Sequence, residues 1–231
     1  MTEPLITCER GLMLNSNRSR KRLTHHLLIP FISLITAGVI YGILLYFYPE
    51  DQRRIFRFSL SSAYIAILLL TATLSLGAWN LIRQQVNPVS SDLRRDIGIW
   101  CGVFTIIHVL FGLNVHLQSW TQYFFDNSGH LLRDAFGIAN YSGVLATLIL
   151  LLLLLTSNDF SLRSLGRNRW KFLQRWNYLF IFITAFHGFV YQFVEKRLLL
   201  FGLILGFICF SIIGIQIVGF YKKTRDNIKK K

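Results

Sequence analysis

The chain has 231 residues, 53% of them hydrophobic, and a mean hydropathy of +0.45. A soluble domain of this length would not be so apolar, and several runs exceed the roughly 18 residues that mark a membrane-spanning helix. The net charge of +14 invites a nucleic-acid reading, which the distribution of those charges excludes below. Lipid-facing backbone leaves only helices or closed barrels, and the Leu, Ile and Phe runs lack a barrel's alternation. The expected fold class is all-α, an integral membrane bundle of six transmembrane helices.

Residues 1–26 read as a basic N-terminal segment, in which His25 and His26 sit beside "NSNRSRKR" and are expected to be solvated. The first span, 27–48, is too long for the core of a signal peptide and is read as retained. Pro30 falls in its first turn, where proline is tolerated. The loop "YPEDQRR" leads to a second span, 59–82. The connection "RQQVNPVSSDLRRD" follows, with Asp92 as a candidate cap and Arg94 and Arg95 marking the interface. The third span is 97–117. The next loop, "HLQSWTQYFFDNSGHLLRD", is rich in aromatic residues and predicts a short amphipathic helix on the membrane surface; His116 and His130 read as solvated. The fourth span, 136–156, leads to a basic loop with Gly166 as a turn residue. Spans five and six cover 176–194 and 198–221. The basic tail, 222–231, is expected to be disordered. Residues 27–221 make one domain, with no room for a soluble nucleotide-binding module. Cys8, Cys101 and Cys209 are far apart, form no CxxC, and read as small packing residues.

Placing the N-terminus in the cytoplasm puts 19 of the 25 Lys and Arg residues on the inner side. That asymmetry is the positive-inside signature. Both termini are then cytoplasmic, and the basic tail lies against anionic headgroups. The cations are accounted for by membrane lipid, so no nucleic-acid partner is expected. The compact design points to a bacterial plasma (inner) membrane.

Two histidines stand in apolar surroundings, His108 in "FTIIHVLFG" and His187 in "ITAFHGFVY". A buried imidazole needs a partner, and ionisable groups inside a membrane mark functional positions. His108 lies 13 residues after Arg95, and His187 lies 12 after Arg175. At the α-helical rise both are about 18–20 Å along parallel spans, at nearly one depth in the outer half. Two imidazoles facing across a gap supply both axial ligands of a heme iron, the alternative being a hydrogen bond to another helix. Gly112 and Gly188 leave room for a flat macrocycle, and Phe104, Phe111, Phe186 and Tyr191 are candidates to pack on it.

The segments "RRDIGIWCGVFTIIH" (94–108) and "LTSNDFSLRSLGRNRWKFLQRWNYLFIFITAFH" (155–187) resemble the paired signatures of the ferric-reductase-like transmembrane domain family. Over roughly residues 30–220 the chain is similar to the heme-binding membrane subunits of methionine-sulfoxide reductase systems. The resemblance implies transmembrane electron transfer through heme b, with His108 and His187 as axial ligands of the iron. It also exposes a departure. Two-heme relatives carry histidine where this chain has Gln174, so one heme is expected. Electrons then have to come from a separate donor, a quinol or a flavin such as FMN, and leave to an acceptor on the outer face; a methionine-sulfoxide reductase, ferric iron and oxygen all remain open. The competing class is a non-redox transporter or assembly factor, or a heme-handling protein, on the same fold. Against a proton-coupled transporter stands the expectation that no carboxylate lies within the membrane.

Overall fold

The computed structural model describes residues 3–50, 53–83, 92–115 and 119–229. Among these residues seven α-helices follow in order: α1 (Glu3–Phe47), α2 (Arg54–Ile82), α3 (Asp92–Gly112), α4 (Ala135–Leu155), α5 (Asp159–Gln174), α6 (Trp176–Val194) and α7 (Leu199–Lys229). Among the described residues there is no strand, and one isolated bridge joins Phe125 to Leu131. Among the described residues six stretches are long and apolar enough to cross a membrane, lying in α1, α2, α3, α4, the α5–α6 segment and α7. The six expected spans and the all-α class are what the chain forms. The calls on the connection 84–91, on His116 and on the Cys8 side chain fall outside the described residues.

α2 is the central helix. Its Leu70 and Leu74 pack with Cys101 of α3, Ile149 and Leu153 of α4, Phe180 and Ile183 of α6, and Ile212 of α7. Cys101 is buried, with its thiol on the Ala66 carbonyl at 3.3 Å, a packing residue as expected. α1 runs along one flank of α2 and α3. Leu27, Phe31 and Leu34 of α1 and Phe207, Phe210 and Ile217 of α7 point outward, as lipid-facing side chains do, since hydrocarbon tails are as apolar as leucine.

Both ends of the chain come to one end of the bundle. Arg22 and His25 of α1 reach Asp96 at the start of α3, and Lys222 of α7 donates to the Ile82 carbonyl at the end of α2. α5 is there too, because Arg95 pairs with Asp159 at 2.8 Å. This is called the basic end below, and the opposite one the far end.

Three local expectations are corrected. The basic loop after α4 is a helix, α5. Asn158 caps it, its side chain accepting from the Ser161 N–H at 2.7 Å. Gly166 breaks it as a turn residue would, at φ 72°, a conformation glycine adopts without steric cost. Trp170 anchors it by burial and by donating to the Thr156 carbonyl. The aromatic loop at the far end forms one 3-10 turn, Trp120–Tyr123, where an amphipathic helix was expected. Its aromatic residues are spent on folding back: Tyr123 is buried and donates to the Gly112 carbonyl, and Tyr141 donates to that of Phe124. Asp126 then closes a tight turn by accepting from the Ser128 and His130 N–H groups. Finally, α7 continues helically to Lys229 instead of ending at 221; "YKKTRDNIK" contains no glycine or proline to stop it.

Candidate functional site

α3 and α6 bring His108 and His187 together, with ring centres 6.2 Å apart and planes at 77°. Each ring is held from behind. The Nδ1 of His108 lies 2.9 Å from the Ser59 carbonyl and 3.0 Å from the Ser59 hydroxyl. The Nδ1 of His187 lies 2.8 Å from the Ala139 carbonyl. A carbonyl only accepts, so Nδ1 carries the proton in both rings. Both Nε2 atoms are then bare lone pairs, with no partner among the described residues. This is how a metal-binding imidazole is oriented, its other nitrogen fixed by a second hydrogen bond.

The spacing fits one metal ion between the rings. Imidazole–metal bonds of about 2 Å on opposite sides of one ion leave ring centres roughly 6 Å apart. Among the described residues no group of three or more His, Cys, Asp or Glu gathers to hold a metal. A site of two imidazoles has to take its other ligands from outside the chain, as four pyrrole nitrogens provide.

Room exists for such a group. Both histidines line a cavity of about 340 Å3, bounded by α2, α3, α4, α6 and α7. Its walls are mainly apolar, with Ala63, Ile67, Val109, Val144 and Leu205 among them. Thr184, one turn before His187, also lines it, and its buried hydroxyl has no partner among the described residues.

The glycine that matters most was not foreseen. A Cβ on Gly143 would stand 2.8 Å from His187 Cε1, so α4 approaches this imidazole only because residue 143 lacks a side chain. Gly112 faces Ser59, and Gly188 faces Leu205, so both serve helix packing as well as lining the cavity. Of the four aromatic candidates, Tyr191 alone lines the cavity, with its ring 5.0 Å from that of His187. Phe104 is buried against Ile65 and Ala66 instead. Phe111 stacks on Phe58, and Phe186 is exposed on the lipid side. Helical phase explains Phe186, which adjoins His187 and so points about 100° away from it. Phe104 and Phe111 lie one turn from His108, and packing on Ile65, Ala66 and Phe58 of α2 takes them up instead.

The mouth at the far end is polar. Tyr191 donates to Asn140, and Asn140 donates to the Tyr123 carbonyl. The turn after α6 takes Lys196 into left-handed backbone at φ 46°. The Lys196 N–H reaches the Phe193 carbonyl, and the Arg197 N–H reaches that of Gln192. These two bonds form a helix C-cap that normally uses glycine. The cap turns Arg197 inward over the rings of Phe56 and Tyr191, at 5.4 and 5.8 Å. Burial pulls its guanidinium below the ordinary value, and Glu195 and nearby tyrosines pull the other way; an arginine stays charged throughout.

The basic end holds a second polar cluster. Asp96 of α3 is fully buried. Arg22 donates to one oxygen at 2.9 Å and His25 Nδ1 to the other at 2.9 Å, while His26 Nε2 lies 3.4 Å away. The Trp100 indole donates to His26 Nδ1, which assigns the His26 proton to Nε2, facing the carboxylate. Two expectations fall here. His25 and His26 are engaged by a carboxylate rather than simply solvated, and a buried carboxylate does lie in a spanning helix. Asp96 sat just before the expected start of span three, and α3 begins four residues earlier, at Asp92. Arg95, read as an interface marker, is buried in its ion pair with Asp159. Gln174 does not line the cavity; its amide donates to the Thr156 hydroxyl at 3.3 Å.

A family model described as ferric reductase like transmembrane component matches residues 61–185. His108 lies inside that match and His187 two residues beyond it. The protein-methionine-sulfoxide reductase heme-binding subunit MsrQ of Enterobacter sp. (strain 638) is 30% identical over 162 residues, covering 69% of this chain and 73% of that protein. Proteins of the same name from Yersinia pseudotuberculosis serotype O:1b (strain IP 31758) and Yersinia pestis (strain Pestoides F) are each 29% identical over 124 residues. Those matches cover 53% of this chain and 57% and 56% of the two relatives, so the chain spans little more than half of their length.

Proposed function

The chain belongs to the ferric reductase like transmembrane component family, and on that premise we propose that it is a heme b-binding electron-transfer subunit of a bacterial inner membrane. The observation that carries this reading is the facing pair His108 and His187, each with Nδ1 tied to a carbonyl and Nε2 bare. Bound heme supplies a one-electron ferric–ferrous couple. The chain supplies the rest. The Ser59 and Ala139 carbonyls hold both imidazoles in the ligating tautomer, Gly143 admits the His187 ring, and the apolar walls exclude water.

One heme per chain is proposed. The cavity offers one imidazole pair, and Gln174 is hydrogen-bonded elsewhere. The basic end is assigned to the cytoplasm by the positive-inside rule, which puts the histidine pair in the outer half. The acceptor is then a protein at the outer face, and the relatives' name makes a methionine-sulfoxide reductase the first choice. The donor is a quinol or a flavin meeting the basic end. There, Asp96 and His25 form a carboxylate–imidazole dyad, able to take the proton that leaves a hydroquinone with its electron. Asp96 is also the observation that favours the transporter reading, since a buried carboxylate is what a proton pathway uses.

Quinol-driven reduction separates the two. Purified protein in lipid vesicles, given a reduced short-chain quinol without oxygen, is expected to develop the absorption of ferrous heme. Heme that stays ferric with quinol and with reduced FMN, yet is reduced by dithionite, would contradict the electron-transfer role.

A further inference from the structure

We propose that Arg197 is a carboxylate-binding group for the ligand of the His108–His187 cavity, and that the carboxylate it takes is a propionate of the heme. The inference rests on the heme reading above. Arg197 lines the same cavity as the two histidines. The residue is partly buried, with its Nε fully so and unmet, and among the described residues the guanidinium closes no hydrogen bond or ion pair. A buried cation without an anion is costly, because the desolvation of its charge goes unrepaid. Aromatic rings hold it in place without neutralising it: Phe56 and Tyr191 lie under the guanidinium, and Tyr191 is in turn the ring beside His187. One aromatic side chain thus separates the cation from the ligand pair. Glu195 shares this turn and attracts Arg197 through space without closing an ion pair with it.

The ligand chemistry follows. Arginine presents a planar fork of N–H groups that matches a carboxylate. A heme b held by the histidines carries two carboxylates on one edge, and those must leave the apolar walls for a polar exit. The mouth beside Arg197, Asn140 and Tyr191 is polar. The C-cap through Lys196 is the local device that places the cation there.

Full-length protein from heme-limited cells is titrated with protoheme and with protoheme dimethyl ester, following the Soret band of the ligated form. Wild type is expected to bind protoheme roughly tenfold or more tightly than the ester, the scale of a charge-assisted pair. Arg197→Gln removes that preference, and Arg197→Lys keeps part of it. In holoprotein Arg197→Gln also lowers the midpoint potential, because losing a nearby positive charge favours the ferric state. Equal affinities in wild type overturn this inference alone, including the case in which Arg197 serves a free anion from the outer side. A preference that survives in Arg197→Gln overturns it as well. Wild type that ligates neither compound overturns the underlying heme reading and this inference with it. If Arg197→Gln does not fold, the wild-type comparison still decides.

Discussion

At the basic end of the bundle Asp96 is met by Arg22, His25 and His26, and Arg95 is met by Asp159. In the far half, the bare Nε2 atoms of His108 and His187, the hydroxyl of Thr184 and the Nε of Arg197 border one cavity without hydrogen-bond partners among the described residues. Both regions bury polar groups inside the bundle. The difference lies in who repays the cost. At the basic end the chain meets each of these buried charges with an opposite charge of its own, though Arg95 Nε stays without a hydrogen bond, and the gain is registration of α1 and α5 on α3. In the far half the side chains are held in place by carbonyls and rings, and their reactive atoms are left for something the chain does not contain. Buried polarity alone therefore does not mark a ligand site; buried polarity that is positioned but unmet does.

That contrast is open to mutation. The largest effect is expected at the ligands. His108→Ala or His187→Ala abolishes the low-spin heme spectrum, read as heme per chain after purification, while the protein still inserts and elutes as a single species. Next comes Asp96→Ala, which leaves Arg22 and two imidazoles facing a gap and costs about 3 kcal/mol of stability, the scale of a broken buried pair. A thermal melt in detergent reads this, and the heme spectrum of the folded fraction stays unchanged. Damage to the heme spectrum from Asp96→Ala, without loss of stability, would erase the distinction between the two regions. Gly143→Ala forces His187 to move and is expected to cost about 1–3 kcal/mol, typical of overpacking; unlike Asp96→Ala, it also disturbs axial ligation, seen as high-spin character. The smallest effect belongs to Ser59→Ala. It removes the hydroxyl beside His108 Nδ1 but keeps the carbonyl, so heme content holds and the midpoint potential shifts only slightly.

Much of this was legible in the sequence, for identifiable reasons. Membrane helices announce themselves through length and apolarity, so the six spans could be counted. His108 and His187 were conspicuous because an imidazole among Ile, Phe and Val has little reason to be there, and their shared depth followed from the helical rise. Their supports were hidden. Ser59 and Ala139 act through backbone carbonyls, which no residue type advertises. Gly143 is ordinary in a membrane helix, although Ala139 and Gly143 at four-residue spacing mark a close-packing face. Arg197 counted only as an outer-side cation, and the C-cap that turns it inward uses Lys196 where glycine would have been noticed. Asp96 was missed by one residue at a span boundary, the least certain part of any helix read from sequence. α5 was taken for a loop because its charged residues masked the cap at Asn158 and the anchor at Trp170.

The central claim is that His108 and His187 hold one heme between them. It is tested most directly by purifying the full-length protein from heme-replete cells and measuring the dithionite-reduced minus oxidised spectrum with heme per polypeptide. A low-spin b-type spectrum at one heme per chain is the predicted result. A colourless protein would contradict the account, and two hemes per chain would contradict the place given to Gln174.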